Sequence, residues 1–155
     1  MKQQRIYVDT SVIAGCFDKE FELWSNGLMA DFRTGYFRPV TSPIVTAELV
    51  NAPLDVRLKY DELLAMNAET IAITDSAIEL AEAYQRRQII SKKLAADALH
   101  IAVATVAEVD LLVSWNFKHI VRFDKIRMFN AVNLELGYKR LEIYSPREVT
   151  HYGEA

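Results

Sequence analysis

The sequence predicts a three-layer α/β/α fold built on a parallel sheet, and three observations carry that expectation. Short β-rich segments alternate with longer helical ones, the pattern of crossover units laid on both faces of a sheet. The 155 residues are 51% apolar and 25% charged, enough apolar material for the core of one domain. Only five glycines and four prolines occur, with no repeat, linker or low-complexity stretch, so a single domain is expected over residues 1–155.

Taken in order, Arg5 to Val8 reads as a strand, because Ile6, Tyr7 and Val8 are β-formers and the run stops at the polar Asp9-Thr10-Ser11. Residues 20–33 read as a helix, with Phe21, Trp24, Leu28 and Phe32 at helical spacing and Gly35 as a stop. Residues 37–41 form the next strand. Ser42-Pro43 then opens a helix, a cap residue followed by proline at the first position. Further helices are expected over 54–66, 76–88, 94–106 and 124–135, the last ended by Gly137. Further strands are expected over 70–74, 109–113 and 141–144; the second of these carries the continuous apolar run Leu111-Leu112-Val113 of a strand buried on both faces.

Several function classes fall away on composition. A single cysteine, Cys16, leaves no internal disulfide, which suits a reducing cytosol and a cytoplasmic location. The N-terminal apolar stretch is interrupted by Asp9 and lacks a small-residue cleavage site, so no secretory signal is expected; no run approaches the roughly 18 apolar residues of a membrane span. A net charge of −3 argues against a general nucleic-acid coat protein but not against a nuclease. An acidic metal site lowers the net count, while a few local cations and the bound metal handle phosphate.

In an open parallel sheet, ligands bind beyond the carboxyl ends of the strands. Asp9-Thr10-Ser11 follows the first strand, and Ser114-Trp115-Asn116 follows the strand 109–113. Two acids on helices stand to join them: Glu48, in the helix opened by Ser42-Pro43, and Asp97, near the start of the helix 94–106 among Ala95, Ala96 and Ala98. A charge among such small apolar neighbours wants a partner. Each acid alone has a plainer explanation. Asp9 could cap the following turn, Asp97 could complement the positive end of its helix, and Glu48 could be a solvated surface charge. The combination is harder to explain as three unrelated features.

Four segments together resemble the PIN domain family, which includes the ribonuclease toxins of VapBC-type toxin–antitoxin pairs. They are Ile6-Tyr7-Val8-Asp9-Thr10-Ser11-Val12-Ile13, Ser42-Pro43-Ile44-Val45-Thr46-Ala47-Glu48-Leu49, Ala96-Asp97-Ala98-Leu99-His100-Ile101-Ala102-Val103-Ala104 and Leu112-Val113-Ser114-Trp115-Asn116-Phe117-Lys118-His119-Ile120. The resemblance implies a five-stranded parallel sheet and a Mg2+ or Mn2+ site at its carboxyl edge. It also implies hydrolysis of RNA to 5′-phosphate and 3′-hydroxyl ends. The metal ligands it implies are Asp9, Glu48 and Asp97, with Asn116 at a fourth catalytic position where the family usually has an acid, and with Thr10 or Ser11 as the hydroxyl beside the first acid. An amide oxygen there can ligate a hard cation but carries no negative charge, so a second cation is expected to bind more weakly. The partners implied are an RNA substrate, a small antitoxin protein and a second copy of the chain. Trp24, Phe32, Tyr36 and Phe37 add to the homodimer expectation as many aromatics for one end of a small domain. The chemistry of the residues agrees, since hard divalent cations prefer oxygen ligands and activate water for attack on phosphorus without a protein nucleophile.

His100 shares a helix face with Asp97, but one imidazole without a second His or Cys at ligand spacing reads as a hydrogen-bonded neighbour of the site. His119 is similar. Arg86-Arg87 and Lys92-Lys93 bracket the approach to Asp97 as a strip for RNA phosphates, although cations near a helix end also answer its dipole. Two other functions compete. A haloacid-dehalogenase-type phosphatase also begins with a strand-end Asp, but position 11 is Ser where it needs a second Asp. The stronger alternative is a catalytically weak PIN-fold module that binds RNA or protein, with Asn116 as the cause of lost turnover.

Overall fold

The computed structural model describes residues 2–151; Met1 and residues 152–155, which the expected 1–155 domain includes, lie outside them. The chain runs through β1 (Gln4–Val8), α1 (Thr10–Ala14), α2 (Glu22–Arg33), β2 (Phe37–Thr41), α3 (Pro43–Glu48), α4 (Leu54–Leu64) and β3 (Glu69–Thr70). It continues through α5 (Asp75–Arg86), α6 (Ala95–Val106), β4 (Leu111–Val113), α7 (Phe123–Glu135), β5 (Glu142–Tyr144) and α8 (Pro146–Val149). The five strands make one all-parallel sheet in the order β3-β2-β1-β4-β5.

β1 is central because its sequence suits burial on both sides. Ile6, Tyr7 and Val8 point alternately to opposite faces, and all three are 0% exposed, so both faces are covered. Complete burial of each stabilises by about 1.5–3 kcal/mol. The helices divide by what they touch. α2 packs on β2, α4 and α8, while α6 packs on β4, α3 and α5, and α5 on α7. This is the three-layer α/β/α arrangement expected.

Helix ends follow local chemistry. Ser42 caps α3 by accepting from the Ile44 amide, with Pro43 at the first position, and Thr74 caps α5 by accepting from the Ala77 amide. Gly35 and Gly137, beyond α2 and α7, both take positive φ (82° and 89°), where a side chain would be strained. The expected segment 70–74 contracts to a two-residue edge strand because Thr74 is drawn into capping α5. The expected 109–113 strand begins at Leu111; the Asp110 carboxylate instead accepts the Arg5 backbone N–H at 2.6 Å. Two elements went unforeseen, the short α1 directly after Asp9 and α8 after Ser145-Pro146.

The aromatics offered for a dimer surface are mostly spent inside the fold. Phe32 and Phe37 are buried, and Trp24 packs against Trp115 beneath the Arg147 guanidinium. Tyr36 is exposed but stacks on His151. Among the described residues, no helix is long and apolar enough to cross a membrane.

Candidate active site

Three strand ends meet where the strand order changes direction around β1. The pairing of Val8 with Val113 makes Asp9 and Ser114 the next residues off neighbouring strands, and Ser42 leaves β2 on the other side of β1. Asp9 is 4% exposed and caps α1, so the plain capping explanation holds for it. Its Oδ1 accepts from the Ser11 hydroxyl at 2.6 Å and the Val12 amide at 3.3 Å. Its Oδ2 accepts from the Ser114 hydroxyl at 2.6 Å.

The other acids arrive from helices. Glu48 closes α3, and its Oε1 accepts from Thr10 Oγ1 at 2.7 Å and from His100 Nε2 at 2.5 Å. Asp97 lies in the first turn of α6, and its Oδ2 accepts from Asn116 Nδ2 at 3.2 Å. Asn116 thus meets Asp97 through its nitrogen, because its Oδ1 already accepts the His119 backbone N–H at 2.9 Å. The sequence suggested instead an amide oxygen available to a cation.

Electrostatics separate the three carboxyls. Burial pushes Asp9 above the ordinary Asp range against the opposing influence of His100 and the hydrogen bonds from Ser11, Ser114 and the Val12 amide. Burial also raises Asp97, opposed by His100 and reinforced by the like charge of Glu48. Burial would raise Glu48 too, but the His100 bond and charge, with the Thr10 bond, outweigh it and hold the carboxyl low.

These shifts carry a sign for stability. A carboxyl raised in the folded state binds more protons than in the unfolded chain, so stability falls as pH rises from the ordinary Asp range through the raised value. Asp31, also raised by burial, adds to the slope, whereas Glu48 opposes it only as pH drops below the ordinary Glu range. With EDTA present, the protein should therefore melt at a higher temperature near the ordinary Asp range than at pH above the raised values. Asp9→Asn should flatten that difference. Calorimetry across the range checks it, and a wild type that gains stability with rising pH would contradict the burial assigned to Asp9.

The donor set suits a hard divalent cation, being carboxylate oxygens with hydroxyls beside them. As the side chains are arranged, no group of three or more His, Cys, Asp or Glu among the described residues could hold a metal ion. Of the basic strip, Arg87 is committed to Glu135, while Lys92 and Lys93 stand exposed in the turn before α6.

Sequence reasoning missed Tyr7 and Ser42 at this edge. Tyr7 Oη lies 2.6 Å from His100 Nδ1 and 2.7 Å from Ser42 Oγ. A tyrosine within a fully buried strand was the available signal, because its hydroxyl requires a partner.

Comparison with known proteins agrees with this architecture. The PIN domain family model matches residues 6–126. Among solved structures, VapBC2 from Rickettsia felis bound to a DNA fragment from its promoter is similar at 18% identity and a TM-score of 0.58, over 92% of this chain and 98% of that one. A toxin–antitoxin complex from Klebsiella pneumoniae is similar at 15% identity and a TM-score of 0.54, over 74% of this chain and 88% of that one. FitAB bound to an IR36 DNA fragment is similar at 14% identity and a TM-score of 0.54, over 95% and 99%. No curated protein matches.

Proposed function

Because the chain belongs to the PIN domain family, we propose that it is a divalent-cation-dependent nuclease that hydrolyses RNA phosphodiester bonds as the toxin of a toxin–antitoxin pair. What supports this reading is that Glu48 bonds to Thr10, the residue after Asp9, that its charge is felt by Asp97, and that burial raises both Asp9 and Asp97. Asp9, Glu48 and Asp97 would hold Mg2+ or Mn2+, which supplies positive charge to the phosphate and an activated water when bound. The chain's own residues do the rest. Ser11 and Ser114 fix Asp9, Thr10 and His100 fix Glu48, and Asn116 steadies Asp97. Lys92 and Lys93 receive the RNA backbone beside Asp97. RNA cleavage with Mn2+, set against an EDTA control, tests the reading. Metal-dependent binding of RNA without cleavage would favour the weak binding module instead.

The partner belongs to the same proposal. The similarity to VapBC2 and to a toxin–antitoxin complex supports a small antitoxin protein, and a homodimer is proposed alongside it. Light scattering of the chain alone and co-expressed with a neighbouring small reading frame checks both.

Asn116 gives a graded test. In Asn116→Asp a carboxylate oxygen replaces the nitrogen that donates to Asp97, so repulsion replaces a hydrogen bond. The protein in EDTA should lose about 1–2 kcal/mol of stability. Cleavage should reach half-maximum at lower Mn2+, because a further negative charge draws the cation. Paired Mn2+ titrations and melting curves measure both effects; identical midpoints would put Asn116 outside the cation's reach.

A further inference from the structure

Among the described residues, Glu48 is held on one side only. The bonds from His100 Nε2 and Thr10 Oγ1 both fall on Oε1, and neither falls on Oε2. The residue ends a six-residue helix and its side chain is about one-third exposed, a setting in which a glutamate would ordinarily sample several rotamers. His100 does not share that freedom. It is 1% exposed, and its Nδ1 is tied to Tyr7 Oη, which is tied in turn to Ser42 Oγ. Ser42 is 0% exposed and caps α3, the helix that Glu48 terminates. The chain Ser42, Tyr7, His100, Glu48 therefore closes a ring through both ends of α3.

Keeping a tyrosine hydroxyl, an imidazole and a serine in the interior is costly unless every polar atom is matched, and apolar residues of similar size would serve the fold alone. The same α6 face carries Asp97 three residues before His100, so one rigid helix holds one acid and the handle of another. We propose that His100 is a positioning residue that fixes Glu48 by Oε1 and leaves Oε2 to ligate the divalent cation with Asp97. This rests on the nuclease reading of the site. The role belongs to Nε2, because a carboxylate oxygen needs a donor and Nε2 is the atom that faces it.

Two substitutions separate that role from a structural one. His100→Gln keeps an N–H donor near the place of Nε2, whereas His100→Asn keeps a polar atom near Nδ1 but falls short of Glu48. Mn2+ affinity is measured on the full chain by electron paramagnetic resonance of the free ion, with circular dichroism fixing the folded fraction of each variant. His100→Asn should bind Mn2+ about tenfold more weakly or worse, and His100→Gln within about threefold of wild type. Tyr7→Phe, which keeps the ring in the core, should weaken Mn2+ binding by roughly threefold by loosening the imidazole. Equal affinities in the Asn and Gln variants, or a Tyr7→Phe variant identical to wild type, would overturn the positioning role. A wild type that takes up no Mn2+ would overturn the nuclease reading and this inference with it, and is recognised before any variant is made.

Discussion

Asp97→Asn should yield a folded protein whose RNA cleavage at saturating Mn2+ is down on the order of a thousandfold or more. The substitution nearly preserves shape, and among the described residues Asp97 has one side-chain hydrogen-bond partner, Asn116, at 3.2 Å. What it removes is charge in the first turn of α6, at the point where Glu48 already pushes the Asp97 carboxyl upward. Losing the favourable interaction with the helix dipole costs about 0.3–1 kcal/mol, and relief from burial and from Glu48 offsets it. The melting temperature in EDTA should accordingly stay level or rise while activity vanishes. Cleavage at near wild-type rate would locate the chemistry elsewhere.

Asp9→Ala should also abolish cleavage, but with a loss of stability that Asp97→Asn does not show. Asp9 is almost fully buried and accepts from two hydroxyls and one backbone amide. Truncation leaves those donors without their acceptor and removes the cap of α1, which together cost about 2 kcal/mol. A domain of this size should then melt about 4–8 °C lower. Asp9→Asn should recover much of the stability and none of the activity, since an amide can stand in for some hydrogen bonds but not for the charge. Asp9→Ala melting like wild type would mean that the bonds to Ser11 and Ser114 contribute little to the fold.

The contrast between the two aspartates marks where sequence reasoning reached its limit. Capping and ligation looked like competing explanations for Asp9; the structure gives it the first, while the second belongs to the proposed nuclease reading. The strands were legible because Ile6-Tyr7-Val8 and Leu111-Leu112-Val113 are apolar without interruption, a pattern that only a sheet covered on both faces tolerates. Helices α2, α5, α6 and α7 were legible from period and caps, to within two residues at each end. α1 and α8 were not, because five and four residues are too few to display a period. The orientation of Asn116 was beyond reach too, since it depends on the His119 amide, a backbone group that no side-chain motif records. The pairing of Tyr7 with His100 lies 93 residues apart in sequence and emerges only from the sheet order.

That sheet order also sets a clock. Asp9 waits for Ser114, 105 residues later, and β1 is flanked by β4 as well as β2. At roughly 5–20 residues per second, a ribosome needs roughly 5–20 s to travel from one to the other. Through that interval the nascent chain carries its first acid without the strand that completes the pocket around it. The edge assembles only in the last part of synthesis, so a message truncated before β4 would release a chain whose Asp9 lacks both the Ser114 hydroxyl and the strand beside it.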